Sequence, residues 1–193
     1  EGYFLLDFHL SRLKDSAVYF DFPIDSKEIR EVLQRATNTF TGARYKVRLL
    51  VSRKGGIRCE SAHLPEFSEP QSLRIHLANM PIDPEDPFLY HKTTHREVYR
   101  KFREGFQEYD DVLLWNPDNQ VTEGTIANLV VRIGDELITP PVECGLLPGT
   151  FRAWLLEQGE IQEQNITKDE LVQCDEIYLI NSVRKWQRAA LED

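Results

Sequence analysis

The sequence predicts an α/β protein (α+β in its segregation of elements) built as two small domains. Three observations carry this. The 193 residues are enough for one large domain or two small ones. Helical and strand-like apolar spacings alternate along the chain. Between them, Asn79 to Pro87 gathers three prolines and three acids and reads as a linker. The expected division is a small N-terminal α/β domain over residues 1–82, a linker over 83–91 and a C-terminal domain over 92–193.

Taken in order, Tyr3 to Asp7 reads as a strand. Phe8 to Tyr19 reads as a helix on the spacing of Phe8, Leu10, Leu13, Ala17 and Phe20, and Pro23 ends that element. Asp25 or Ser26 caps a second helix, Lys27 to Thr39, with Ile29, Val32, Leu33 and Ala36 on one face. Thr41-Gly42 closes it. Arg44 to Ser52 alternates as a strand, turns at Lys54-Gly55-Gly56, and returns from Ile57. Leu73 to Leu77 is a third strand. Beyond the linker come a helix over His95 to Glu108, a strand over Asp111 to Trp115 and a turn at Asn116-Pro117-Asp118-Asn119. Val121 to Arg132 supplies the returning strands, and Leu137-Ile138-Thr139 another. Gly149 to Gln158 is a helix stopped by Gly159. Thr167 and Glu170 form a capping box for a short helix, and Ile177 to Ile180 is a buried strand ending at Asn181-Ser182.

Composition narrows the function. A chain 41% hydrophobic and 28% charged is soluble and globular. Its apolar runs stay short of the ~20 residues that span a bilayer. With no basic-then-apolar leader at its start, the chain is expected in the cytoplasm. A net charge of −9 argues against nucleic-acid and membrane partners, because neutralising phosphates needs a positive face. A small anionic substrate would then need a local basic patch. Cys59, Cys144 and Cys174 are too scattered for a metal cluster and read as reduced thiols, and no metal is expected. Glu1-Gly2-Tyr3-Phe4-Leu5-Leu6 opens inside a strand-like run, which suggests a segment upstream.

The residues suited to chemistry are few. Glu123 and Asn128 interrupt the apolar run Val121 to Val130, and a carboxylate entering a buried strand needs a partner. Gly145-Leu146-Leu147-Pro148-Gly149-Thr150-Phe151 turns into a helix whose first N–H groups are free for an anion. Asn181 and Ser182 add donors at a strand end. Lys92, in His91-Lys92-Thr93-Thr94-His95-Arg96, follows the linker and the aromatic pair Phe88 and Tyr90, at an edge where clefts form. Desolvation or neighbouring positive charge makes such an amine a nucleophile. Arg12 is a candidate for the same anion pocket. Arg44, Lys46 and Arg48 project from one strand face as a possible carboxylate wall, with Arg48 the most inward. The plainer alternatives are a solvated lysine, an edge-strand acid, a simple helix cap and an aggregation-blocking basic stripe. Pyridoxal 5'-phosphate would use the amine, the acid and the anion pocket together, at its aldehyde, its ring nitrogen and its phosphate.

As a set these segments resemble the fold-type IV pyridoxal-phosphate enzymes, the class IV aminotransferase family. His9-x-x-Arg12-Leu13, Lys92, Val121 to Asn128, Thr139-Pro140-Pro141, Gly145 to Gly149 and Asn181-Ser182 stand in the family's order. Within it, Lys92-Thr93-Thr94-His95-Arg96 and Gly145 to Leu155 are most similar to aminodeoxychorismate lyases, especially those fused behind a synthase. The resemblance implies a two-domain fold like that of D-amino acid aminotransferases, with the cofactor between the domains, and a homodimer. It implies Lys92 as the residue bonded to the cofactor and Glu123 on its ring nitrogen. It also implies a phosphate held by Arg12, Thr150, Phe151 and Ser182, with Asn128 and Asn181 nearby. Arg44, Lys46, Arg48 and Arg96 remain for the substrate's carboxylates. Two alternatives stand beside the lyase: a transaminase of branched-chain or D-amino acids, and a non-catalytic domain of a larger protein that includes an upstream aminodeoxychorismate synthase domain.

Overall fold

A computed structural model describes residues 2–41, 44–65 and 72–192. The chain divides into two units, residues 1–69 and 70–193. In the first, α1 (Leu6–Tyr19) starts from Leu5, whose left-handed φ of 54° turns the chain into the helix. The Leu5 carbonyl accepts the His9 N–H at 3.1 Å. Residues 6 and 7 are therefore helical, and the strand expected over Tyr3 to Asp7 does not form. The run Phe4-Leu5-Leu6 is too short for periodicity to tell helix from strand, and Leu6, Leu10, Leu13 and Ala17 extend the helical face one turn earlier.

α2 (Ser26–Thr37) is capped by Asp25, whose Oδ1 accepts the N–H groups of Lys27 and Glu28 at 2.8 and 3.2 Å. Ile29 and Leu33 form its buried face. The Gly42 part of the expected helix stop lies outside the described residues. β1 (Tyr45–Val51) and β2 (Ile57–His63) form an antiparallel hairpin from Tyr45 opposite His63 to Val51 opposite Ile57. Its turn passes through Gly55 at φ 82°, a conformation glycine takes without steric cost.

The second unit is a closed sheet with helices outside. β3 (Leu73–Leu77) runs parallel to β4 (Asp111–Trp115) on one side and to β10 (Lys185–Leu191) on the other. β5 (Val121–Gly124) lies antiparallel to β4, and β9 (Glu176–Asn181) antiparallel to β10. β6 (Asn128–Ile133) bridges β9 and β5, so the order β5-β4-β3-β10-β9-β6 closes on itself. β7 (Glu136–Thr139) and β8 (Gln162–Glu163) extend the sheet beside β6. Ile75, Leu113, Val121, Leu129, Val131, Ile177 and Leu179 make one core. From the other face of β4, Val112 and Leu114 meet Val98, Tyr99 and Phe102 of α3 (Glu97–Arg103) together with Ile82 and Leu89. With both faces covered, β4 reads as an unbroken apolar run. α4 (Thr150–Glu157) and α5 (Lys168–Gln173) complete the unit, α5 with the expected capping box at Thr167 and Glu170.

Two expectations need correction. The division falls between residues 69 and 70, not at 83–91, because β3 belongs to the second sheet. The proline-rich segment is packed into that unit: Ile82 and Leu89 are buried, Asp86 caps a turn at Phe88, and the Tyr90 hydroxyl donates to the Pro84 carbonyl at 2.7 Å. Its prolines shape a wrapped loop instead of a linker. The helix after Lys92 is also shorter than 95–108, ending where Gly105 takes φ 87°. β8 and β10 were not anticipated.

Thr122 is fully buried on β5, and its hydroxyl has no hydrogen-bond partner. Removing an unsatisfied buried hydroxyl at constant shape is favourable. Thr122→Val is expected to stabilise the protein by about 1 kcal/mol, read as a raised urea midpoint at unchanged slope.

Candidate cofactor site

Glu123 is the last charged residue of β5 and is 3% exposed. Sheet register places Asn128 opposite Glu123, and Ile180 opposite Asn128. The acid, the amide and the Asn181-Ser182 strand end therefore share one line across three strands. Glu123 Oε1 accepts the Tyr99 hydroxyl at 2.8 Å and the Leu147 N–H at 3.0 Å. Oε2 accepts Asn128 Nδ2 at 3.0 Å, and the same amide donates to the Leu147 carbonyl at 2.8 Å. Burial raises the Glu123 carboxyl to about 8, against the opposing pull of its Leu147 and Tyr99 hydrogen bonds and of the Lys92 and Arg96 charges. Burial also raises the Tyr99 phenol, and the neighbouring carboxylate raises it further.

A second buried acid holds the turn that follows. Asp111, 1% exposed at the start of β4, accepts the Val112 and Thr125 N–H groups at 2.8 and 3.0 Å and the Ile126 N–H at 3.3 Å. It also accepts the Thr125 hydroxyl. A Cβ on Gly124 would come within 2.5 Å of Asp111 Oδ2, so this turn needs glycine for the close approach. Arg96 donates to the Thr125 carbonyl, and its guanidinium lies 4.4 Å from the centroid of the Tyr99 ring. Lys92 sits exposed in the loop before α3, and its charge is felt at Glu123.

The anion side is built around α4. Gly149 precedes the helix with φ −67°, and Thr150 and Phe151, 4% and 3% exposed, begin it. A Cβ on Gly149 would fall 1.8 Å from Asn128 Oδ1, so the loop packs directly on the amide that holds Glu123. Gly149→Ala is expected to lower stability by roughly 1–3 kcal/mol, since the backbone must shift to admit the methyl. It should weaken cofactor retention as well, measured by dialysis followed by absorbance.

Pyridoxal 5'-phosphate fits these residues. A buried carboxylate held by the Tyr99 hydroxyl, the Asn128 amide and the Leu147 N–H matches a protonated ring nitrogen. The glycine-led helix start presents N–H groups to a phosphate. An exposed lysine near that acid matches the aldehyde.

Other sequence candidates are placed differently. Asn181 accepts the N–H groups of Val183 and Arg184 at 3.0 and 2.8 Å and so shapes the β9–β10 turn that carries Ser182. Arg12 lies on α1 of the first unit, half-buried. Arg44, Lys46 and Arg48 are all exposed on one face. Arg48 is exposed as the other two are: strand alternation sends Val47 and Leu49 to the other face, and Arg48 pairs across the hairpin with Glu60 at 3.7 Å. Tyr99, Asp111 and the Leu147 N–H were not singled out from the sequence. Asp111 is an acid in a buried strand, as Glu123 is, and shows the same signal. Tyr99 carries none, because only tertiary packing brings it to Glu123.

The whole-chain comparisons agree with this geometry. Residues 1–191 match the family model described as "Amino-transferase class IV". A Schizosaccharomyces pombe protein named "Putative aminodeoxychorismate lyase" is 32% identical over 191 residues, covering 94% of this chain and 81% of its own. A Mesorhizobium loti structure titled "Putative amino-acid aminotransferase" superposes with a TM-score of 0.89 at 34% identity, over 98% of this chain and 92% of that one. A structure described as "A hypothetical aminotransferase from Mycobacterium tuberculosis, PLP-bound form" shares the fold, with a TM-score of 0.83 at 23% identity over 97% and 76% of the two chains. An acid, an amide and a helix start arranged for this cofactor, on a chain matched from end to end, have one reading: the protein belongs to the class IV aminotransferase family of pyridoxal-phosphate-dependent enzymes.

Proposed function

We propose that the chain is a 4-amino-4-deoxychorismate lyase, releasing 4-aminobenzoate and pyruvate. The similarity to the Schizosaccharomyces pombe relative carries the choice of reaction. The Lys92, Glu123 and α4 arrangement carries the cofactor chemistry. In this reading Lys92 would be the residue that holds the cofactor through its aldehyde, and its amine would be the base of the reaction. It then removes the proton from the amine-bearing carbon and returns one later. Glu123 holds a proton at the ring nitrogen, and Asn128 orients Glu123. The bound cofactor supplies an electron sink for the carbon that loses its proton. The N–H groups of Thr150 and Phe151, with Ser182, hold the phosphate. Arg96, beside Tyr99, receives a carboxylate of the substrate. Aromatisation of the product makes the loss of pyruvate favourable. A homodimer in the cytoplasm, possessing or lacking a synthase domain upstream, belongs to the same proposal.

The test supplies 4-amino-4-deoxychorismate and cofactor to the purified chain without a keto acid. Stoichiometric 4-aminobenzoate and pyruvate are expected. The similarity to the Mesorhizobium loti structure favours a second reading, a transaminase. Amino-group transfer to a keto acid, with no aminobenzoate formed, would replace the lyase by that reading.

A further inference from the structure

The two oxygens of Glu123 are unequally occupied. A carboxylate offers about four lone-pair positions, two on each oxygen. Oε1 uses both, on the Tyr99 hydroxyl and the Leu147 N–H. Oε2 uses one, on Asn128. We infer that Tyr99 is a positioning residue that anchors Oε1, turns Oε2 toward the cofactor's ring nitrogen, and keeps the shared proton on that nitrogen. The inference rests on the site being a pyridoxal-phosphate site, whichever of the two reactions it runs.

The physical reason is basicity. In a hydrogen-bonded carboxylate–pyridine pair the proton stays with the more basic partner. Each donor on the carboxylate lowers its basicity. Tyr99 is 6% exposed and reaches Glu123 from α3, so its donation is made where water does not compete. Arg96 over the Tyr99 ring makes the phenol a stronger donor. Arg96 is itself fixed to the Thr125 carbonyl, in the turn that Asp111 clamps. A relay thus runs from Asp111 through the 124–126 turn, Arg96 and Tyr99 to Glu123. The charged and titratable groups around the carboxyl are Lys92, Arg96 and Tyr99.

The experiment loads wild type and Tyr99→Phe with cofactor labelled with ¹⁵N in the ring and records the nitrogen chemical shift. The wild type should show a protonated ring, and Tyr99→Phe a shift toward the neutral-pyridine value, with the visible band changed in parallel. In the cofactor-free proteins, the pH midpoint of the Glu123 transition, about 8 in the wild type, should rise in Tyr99→Phe. Arg96→Met keeps the phenol and removes the cation above it. It should move both readings the same way by less, and it serves if Tyr99→Phe does not fold. Unchanged ring shifts in both variants, with cofactor bound, overturn the inference and leave the site reading intact. A wild type that takes up no cofactor overturns both.

Discussion

Lys92→Ala is expected to fold with the wild-type thermal midpoint and to lose catalysis. Lys92 is exposed in the loop before α3, outside both hydrophobic cores of the second unit, so truncation opens no cavity. His91 and His95 flank Lys92 in sequence but neither can hold the aldehyde covalently as a primary amine does. With the two roles proposed for Lys92 removed, kcat/KM for the proposed release of 4-aminobenzoate should fall by at least ~10³-fold. The borohydride-fixed adduct should disappear from the variant's mass spectrum while cofactor still binds weakly through its phosphate. A variant that kept a tenth of the wild-type rate, or an adduct fixed at another lysine, would move the reacting amine elsewhere. One further effect separates Lys92 from a bystander. Its positive charge helps hold the Glu123 carboxyl down, so the midpoint of that group in the cofactor-free variant should rise.

The parts of this site readable from the chain were those that break a local rule. Glu123 and Asn128 stand out because polar groups in a buried strand must be satisfied. The Gly149 turn stands out because glycine before a helix marks a close approach, here to Asn128. The helices and strands whose spacing is clear, α2 with its Asp25 cap and β4 with its apolar run, are where periodicity places them. The misread places share a cause, which is that distant contacts decide them. Residues 79–90 have the composition of a linker, yet Ile82 and Leu89 are drawn into the core behind β4. β10 has a mixed pattern, Lys185-Trp186-Gln187-Arg188, and becomes a strand because β9 and β3 flank it. Tyr99 is one of two aromatics on α3, with Phe102, and nothing local distinguishes the one that meets a buried acid.

Glu123→Gln should reverse the order of stability of the cofactor-free protein between pH 5 and pH 8. The carboxyl sits at about 8 in the folded chain against 4.5 for the free side chain. Between those values the folded state keeps a proton that the unfolded chain has released. Stability is then fullest below pH 4.5 and falls as the pH rises through 8. Each pH unit of that window carries about 1.4 kcal/mol, so the slope sums to on the order of 5 kcal/mol. Other shifted groups leave the window largely clear. Glu176, held near 2 by Arg132 and Tyr178, acts only in strong acid. Tyr99 acts above pH 10. Asp111 is also raised by burial from 3.8 and adds slope of the same sign, so the variant's profile is flatter without being level. Glutamine has no proton to lose, but its amide meets Asn128 Nδ2 donor to donor, at a cost of about 1 kcal/mol. The variant should therefore be the less stable protein at pH 5 and the more stable one at pH 8, by urea unfolding of both. With cofactor present the sign of the effect on function is opposite. An amide cannot keep the ring nitrogen protonated, so the rate should fall by ~10²-fold or more. Parallel pH profiles for the two proteins would show that residue 123 is not the group whose burial governs this site.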